Sequence, residues 1–377
     1  MKIAMIGSRG VPATFGGIEH HVEELGSRLV DRGHTVVVYS RTNYIERPVD
    51  QYRGMRVRRL PTVNSKHLDA IVHSFVSTLD AMRARFDVVH YHAIGPGIPA
   101  VLPRYLSRSG VALTVHGRDG ERAKWGAGAH RVLSAAEWLS AKVPDATIVV
   151  SQDLQRHYTE AYDRHAFWIP NGVDEPEPKQ ADEISSRWGL ESGSYILFVG
   201  RIVPEKAPDL LVRAFKRIPG ERRLVVAGGS SFTDDFVRSL QGAAGKDPRV
   251  LLTGYVYGDT LRELYSNAAA FVLPSSLEGL PLTLLEAVSY GIPVVASDIP
   301  PHVEILGQDA PGRRLFSSGS EDELLGALGR ALDGDAERAG ALAFRGDVLA
   351  RYRWDSAAEE TERVYERILG RPGGSVR

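Results

Sequence analysis

Residues 2–6, KIAMI, form an unbroken apolar run that stops at a glycine-bearing loop, GSRGVPATFGG, and from Ile18 to Arg32 the apolar positions recur at helical spacing. Strand, glycine loop and helix in that order open a βαβ unit. Further apolar runs follow at TVVVYS (35–40), MRVRRLP (55–61), DVVHYH (87–92), VALTVHG (111–117) and ATIVVS (146–151). Helical patterns separate them, one ending at Arg83, one around Ile98 to Ser107 and one near Arg131 to Ala141. Runs that do not alternate with polar residues suit strands buried on both faces, so a parallel sheet flanked by helices is expected.

The stretch FWIPNGVDEPEPKQ (167–180) sets Pro170, Pro176 and Pro178 among acidic and polar residues, the composition of a linker. Beyond it the alternation restarts. Strands are expected at SYILFVG, RRLVVAGG, RVLLTG, AAAFVLPS and IPVVASD, and helices at Pro208 to Arg217, Asp234 to Ala244, Asp259 to Ser266 and Leu282 to Tyr290. The chain therefore reads as an α/β protein of two Rossmann-like domains, residues 1–170 and 171–353. A closing helix, Trp354 to Leu369, carries large apolar residues at helical spacing and is expected to cross back to the N-terminal domain. The tail GRPGGSVR reads as disordered.

Length and composition agree with two domains: 377 residues, 43% of them hydrophobic, can bury two cores. The absence of cysteine excludes disulfides, thiolate nucleophiles and thiolate metal sites. No apolar window approaches the about 18 residues of a membrane span, and the N-terminal run is too short for a signal segment. A cytoplasmic location is expected, with any membrane contact peripheral at the inner face. The net charge of −1 conceals an asymmetry, since residues 1–170 carry 22 Lys and Arg against 16 Asp and Glu. Arg53, Arg56, Arg58, Arg59, Arg104 and Arg108 suit an anionic partner, a lipid phosphate or an acidic bilayer, or are ordinary solvated residues. Nucleic acid is not expected, because no aromatic residues interleave with a basic groove.

Ligands of such sheets bind beyond the carboxyl ends of the strands. Gly16 and Gly17 precede a helix start, where free N–H groups favour an anion, or simply let the chain turn. His116, at a strand end before Gly117, is a ligand contact or a packed histidine. His90 and His92 share a strand face but belong to no metal-ligand pattern, so no metal is expected. Arg201 and Lys206, in GRIVPEKAPDLL after the first strand of the second domain, fit a diphosphate clamp or a solvated surface pair. Glu278 and Gly279 follow the strand AAAFVLP, a helix starts near Leu282, and Glu286 lies one turn in. Either carboxylate could accept hydrogen bonds from sugar hydroxyls, and the helix N–H groups could take phosphate. Glu286 is otherwise a surface helix residue, although its apolar neighbours Leu284, Leu285, Ala287 and Val288 argue for a partner.

His116-Gly117, IPNGVD (169–174), GRIVPEK (200–206) and the E-x7-E of EGLPLTLLEA (278–287), in this order, resemble the retaining GT-B glycosyltransferases of family 4 over nearly the whole chain. The opening GSRGVPATFGGIE further resembles a subset that includes rhamnosyltransferases of cell-surface polysaccharide assembly. The resemblance implies two parallel sheets facing a central cleft and a metal-independent transfer, with no cofactor, from a nucleotide-sugar (UDP-, GDP- or dTDP-linked). The acceptor is a hydroxyl of a glycan, a lipid-linked or a small-molecule compound. Arg201 and Lys206 would neutralise the diphosphate, Glu278 would orient the sugar, and Glu286 would hold the ribose. Gly200, Gly279, Leu280, Leu282 and Thr283 would line the donor, Gly16 and Gly17 would approach it, and His116 would stand near the transferred sugar. Pro281 departs from the glycine common in the family and removes one N–H donor. The same architecture also accommodates a sugar-nucleotide epimerase, a phosphorylase or a silent nucleotide-sugar binding protein.

Overall fold

The apolar runs of the first half become strands of one sheet in the computed structural model, which describes residues 1–14, 16–44, 49–63, 69–118, 127–229, 234–245 and 247–370. The elements are β1 (Lys2–Ile6), α1 (Gly17–Asp31), β2 (Thr35–Arg41), β3 (Gln51–Tyr52), β4 (Met55–Leu60), α2 (Asp69–Ala84) and β5 (Val88–His92). They continue with α3 (Val101–Leu106), β6 (Gly110–Val115), α4 (Ala127–Lys142), β7 (Ala146–Val149), α5 (Gln152–Tyr162) and β8 (Phe167–Trp168). The strand order is β3-β4-β2-β1-β5-β6-β7-β8. All neighbours are parallel except the hairpin of β3 and β4. The central strands β5 and β6 are buried at every residue, as strands covered by helices on both faces must be. Towards the edge, β4 alternates buried Met55 and Val57 with exposed Arg56 and Arg58.

The second half repeats the architecture with α6 (Glu183–Trp188), β9 (Tyr195–Val199), α7 (Pro208–Lys216), β10 (Arg223–Ala227), α8 (Asp234–Ala244), β11 (Val250–Gly254) and α9 (Gly258–Asn267). Next come β12 (Ala270–Leu273), α10 (Leu282–Ser289), β13 (Val294–Ser297), α11 (Pro300–Leu306), β14 (Arg313–Phe316), α12 (Glu321–Ala331) and α13 (Asp335–Arg351). Its six strands are all parallel, in the order β11-β10-β9-β12-β13-β14. The chain divides into one unit of Met1–Gly172 with Trp354–Arg377 and another of Val173–Arg353. The division falls two residues beyond the boundary read from the linker composition. Phe167 and Trp168, read as the start of that linker, instead pair with β7 as strand β8, two residues being too few to leave a periodic signal. The tail read as disordered lies, from residue 371, outside the described residues.

Helix α14 (Trp354–Leu369) belongs to the first unit. Its apolar face is buried at Trp354, Val364, Tyr365 and Ile368, and each apolar side chain of this size contributes about 1.5–3 kcal/mol. Its polar face ties to α1, where Arg28 donates to Asp355 at 3.1 Å, and to His34, whose Nε2 meets Glu362 at 2.8 Å. Gly110 opens β6, and a side chain there would come within 2.9 Å of Ile368 Cδ1. Deeper in, the Tyr365 hydroxyl and His90 Nδ1 are 2.6 Å apart, while His90 Nε2 lies 2.7 Å from Thr114 Oγ1. Among the described residues no helix is long and apolar enough to cross a membrane.

Two outcomes follow from this core. Tyr365→Phe leaves His90 Nδ1 buried without its partner, and urea unfolding should show a loss of about 1–3 kcal/mol. Burial pushes the His90 imidazole down to about 3, whereas an unfolded chain titrates near 6.5. Between those limits the unfolded state binds a proton that the folded state refuses, so stability falls as pH drops, by up to about 1.4 kcal/mol per pH unit. Urea titrations from pH 7.5 to 5 should show that decline, with a shallower slope in His90→Gln.

Candidate functional site

The second sheet ends its strands in loops that approach one another closely. Strand β9 runs into Gly200, whose N–H donates to the Ala227 carbonyl at 3.0 Å. Gly228, just past β10, has φ 153°, and a Cβ there would lie 1.8 Å from the Gly200 carbonyl oxygen, so only glycine permits this approach. Beyond Gly200, Arg201 is partly exposed, and Pro204–Lys206 form a 3-10 turn leading through left-handed Ala207 into α7.

Lys206 forms an ion pair with Glu278, at side-chain exposures of 13% and 9%. Burial alone would raise the Glu278 carboxyl, but the Lys206 ammonium, with the His302 ring as a smaller influence, holds it below the usual carboxylate range. The two loops are also stitched through backbone, since the Ser276 amide donates to the Glu205 carbonyl at 2.9 Å. Lys206 is expected from the sequence to meet phosphate and Glu278 to meet sugar hydroxyls; the structure brings the two side chains together.

Gly279 and Leu280 are buried in the loop before α10, whose N-cap is Pro281 at φ −76° with no side-chain cap. The amides of Leu284 and Leu285 turn back to the Pro281 carbonyl, which leaves Leu282 and Thr283 at the open start of the helix. The Thr283 hydroxyl oxygen is buried and has no partner among the described residues. One turn on, Glu286 accepts from the Tyr265 hydroxyl at 3.0 Å. Tyr265 is itself buried and stacked on Tyr290 at 5.3 Å, and burial together with the Glu286 charge keeps its hydroxyl protonated well above the ordinary range. His302 was also missed from the sequence. It sits after β13 with Nδ1 3.0 Å from Ser297 Oγ, and burial pushes it down to about 4. Its sequence signal was its isolation, as the one histidine of twelve in the second half.

Gly16, Gly17 and His116 lie in the first unit. Gly16 is the N-cap of α1 at φ 103°, and a Cβ there would meet the Glu19 carboxylate at 2.1 Å. The chain's own carboxylate thus stands at the helix start where the sequence suggested an external anion. His116 follows β6 and packs its ring against His21, at 4.6 Å between centroids, and His92, at 5.6 Å. Burial and the neighbouring histidines push His92 and His116 well below the ordinary imidazole value, and His21 to about 4. Of the basic residues, Arg53 pairs with Glu24, Arg58 with Asp80 and Arg104 with Asp145, so their charge is largely spent inside the unit.

Two family models match the chain: that described as Glycosyltransferase Family 4 over residues 15–176, and that described as Glycosyl transferases group 1 over residues 180–342. A D-inositol 3-phosphate glycosyltransferase from Xylanimonas cellulosilytica is 30% identical over an alignment 396 positions long, covering 94% of this chain and 93% of the relative. Among solved structures, the sucrose-phosphate synthase of Thermosynechococcus elongatus superposes with a TM-score of 0.82 at 22% identity, covering 98% of this chain and 99% of that one. HepE of Anabaena, solved in complex with UDP-glucose, gives 0.80 at 17% identity over 97% of this chain and 100% of its own. At those identities the two structures speak for the GT-B fold alone. The identity and coverage of the Xylanimonas relative, with both halves matched by family models, show that the chain belongs to glycosyltransferase family 4 and is a glycosyltransferase.

Proposed function

We propose that the chain transfers a hexosyl or deoxyhexosyl group from a nucleotide-sugar to an acceptor hydroxyl, with retention at the anomeric carbon and without a metal at the diphosphate. The acceptor class is a glycan, a lipid-linked or a small-molecule alcohol, and cell-surface polysaccharide assembly is the process it suits. The observation that carries this reading is the Lys206–Glu278 pair beside Arg201 at the strand ends, next to the uncapped start of α10. A donor diphosphate gives Lys206 a second anion, and with Arg201 it would neutralise the charge that grows as the sugar departs. Glu278, ionised because Lys206 is near, would then accept hydrogen bonds from the sugar hydroxyls. Glu286, steadied by Tyr265, would accept from the ribose diol, and the amides of Leu282 and Thr283 would donate to phosphate. The UDP-glucose held by the Anabaena neighbour supports a nucleotide-sugar donor.

No nucleophile–base pair stands in this set, which suits front-face displacement. The bond from the anomeric carbon to the leaving phosphate oxygen breaks while the acceptor oxygen bonds on the same face, and the acceptor proton passes to the phosphate. Positioning and electrostatics would supply the rate. His116, a neutral imidazole, is the residue of the first unit assigned to the transferred sugar. Peripheral contact with an anionic bilayer would draw on exposed Arg56 and Arg108, together with exposed Tyr105 and Leu106.

A thermal-shift screen of UDP-, GDP- and dTDP-sugars identifies the donor as the compound that raises the melting temperature. With it, Lys206→Ala should lower kcat by about 10²–10³-fold. Glu286→Ala should mainly raise the donor KM, by roughly 10–100-fold for a lost charged hydrogen bond of about 1.5–3 kcal/mol. Full activity in both variants would sink the assignment. Added Mg2+ or Mn2+ should leave turnover unchanged, whereas a dependence of turnover on either ion would contradict the metal-free diphosphate site.

A further inference from the structure

Four imidazoles meet at the carboxyl ends of β5 and β6 and the first turns of α1, and they are not equivalent. His90 has both ring nitrogens engaged, by Tyr365 and Thr114. The other three, His21, His92 and His116, each offer one ring nitrogen within 4.8 Å of the other two. His92 Nδ1 and His116 Nε2 are 3.4 Å apart. Two ligands on a tetrahedral ion with bonds of about 2.0–2.1 Å are separated by about 3.3 Å, nearly the same spacing.

The tautomer of His21 is also fixed. Its Nδ1 donates to Asn171 Oδ1 at 2.8 Å, so the lone pair is on Nε2, and Nε2 is buried with no partner among the described residues. A buried nitrogen with neither donor nor acceptor is costly to leave unsatisfied. The His21–Asn171 bond repeats the arrangement in which a ligating histidine gives its other N–H to an oxygen that orients the ring. Burial keeps all three rings neutral, the form that binds metal.

We propose that His21, His92 and His116 form a binding site for one divalent cation of the zinc class, with Asn171 as the residue that positions His21 and a fourth coordination position left open. Carboxylate-preferring ions such as Mg2+ and Ca2+ do not fit an all-imidazole set. The site lies within the first unit, so metal uptake is expected whether or not the donor assignment holds. The bound ion would clamp α1 to β5 and β6 and fix the His116 ring.

The test uses the untagged full chain, stripped with chelator and dialysed. Co2+ should bind in a 1:1 ratio with the visible absorption of a four-coordinate ion, and one equivalent of Zn2+ should displace it. His21→Gln and His92→Gln should each abolish the band while circular dichroism shows them folded. Asn171→Ala should weaken uptake by about 10–100-fold. His157→Gln, whose ring pairs with Glu137 elsewhere in the unit, should bind as the parent does. Zn2+ should also raise the melting temperature of the parent and not of His92→Gln. No stoichiometric uptake by the parent, or uptake unchanged in both His21→Gln and His92→Gln, would overturn the proposal.

Discussion

A carboxylate with a side-chain exposure of only 9% must find a cation or give up its charge, and the Lys206–Glu278 pair meets that constraint in the second unit. The pair joins two loops 72 residues apart in sequence, one leaving β9 and one leaving β12. Those strands are neighbours in the sheet, so the pair is a direct product of strand order. The close approach of Gly228 to Gly200 sets the course of the first loop, and the Ser276–Glu205 hydrogen bond ties the second to it. An ion pair of this kind is also a reserve of binding groups. On the proposed function, an incoming diphosphate and its sugar would replace one intramolecular partner with two substrate partners, leaving neither Lys206 nor Glu278 buried and unpaired.

Most of the architecture was legible because buried parallel strands write themselves as continuous apolar runs. KIAMI, DVVHYH, YILFV and FVLP all became strands where the pattern put them. What escaped notice was short or partly polar. Strand β3 and strand β8 are two residues each, and β8 runs at once into the proline-bearing segment. Helix α5 lies between a strand and that segment, with few apolar residues to mark its face.

The candidate site was legible in its members and not in its pairings. Arg201, Lys206, Glu278 and Glu286 stand out as charges at strand ends or among apolar neighbours, and such positions can be read one at a time. That Lys206 faces Glu278 and that Tyr265 supports Glu286 are contacts between elements distant in sequence. Likewise His90 and His92 were natural to weigh together, being on one strand face. The set with nitrogens close enough to share an ion instead takes His21 from α1 and His116 from just after β6, while His90 is spent on Tyr365 and Thr114.

Pro281 departs from the family pattern at a position where the helix tolerates it. As the N-cap of α10 it lies outside the helical turns, and its ring fixes φ at −76°, a value compatible with entry into a helix. Its carbonyl receives the amides of Leu284 and Leu285, so the first turn closes without a side-chain cap. The only group lost is the N–H that a glycine would have offered one residue before the helix. The amides of Leu282 and Thr283 remain, and the positive end of the helix dipole remains with them. Proline therefore narrows the donor set at this end by one and stiffens the loop that carries Glu278 and Gly279. That stiffness favours a preorganised site, since fewer backbone states must be lost when a ligand binds.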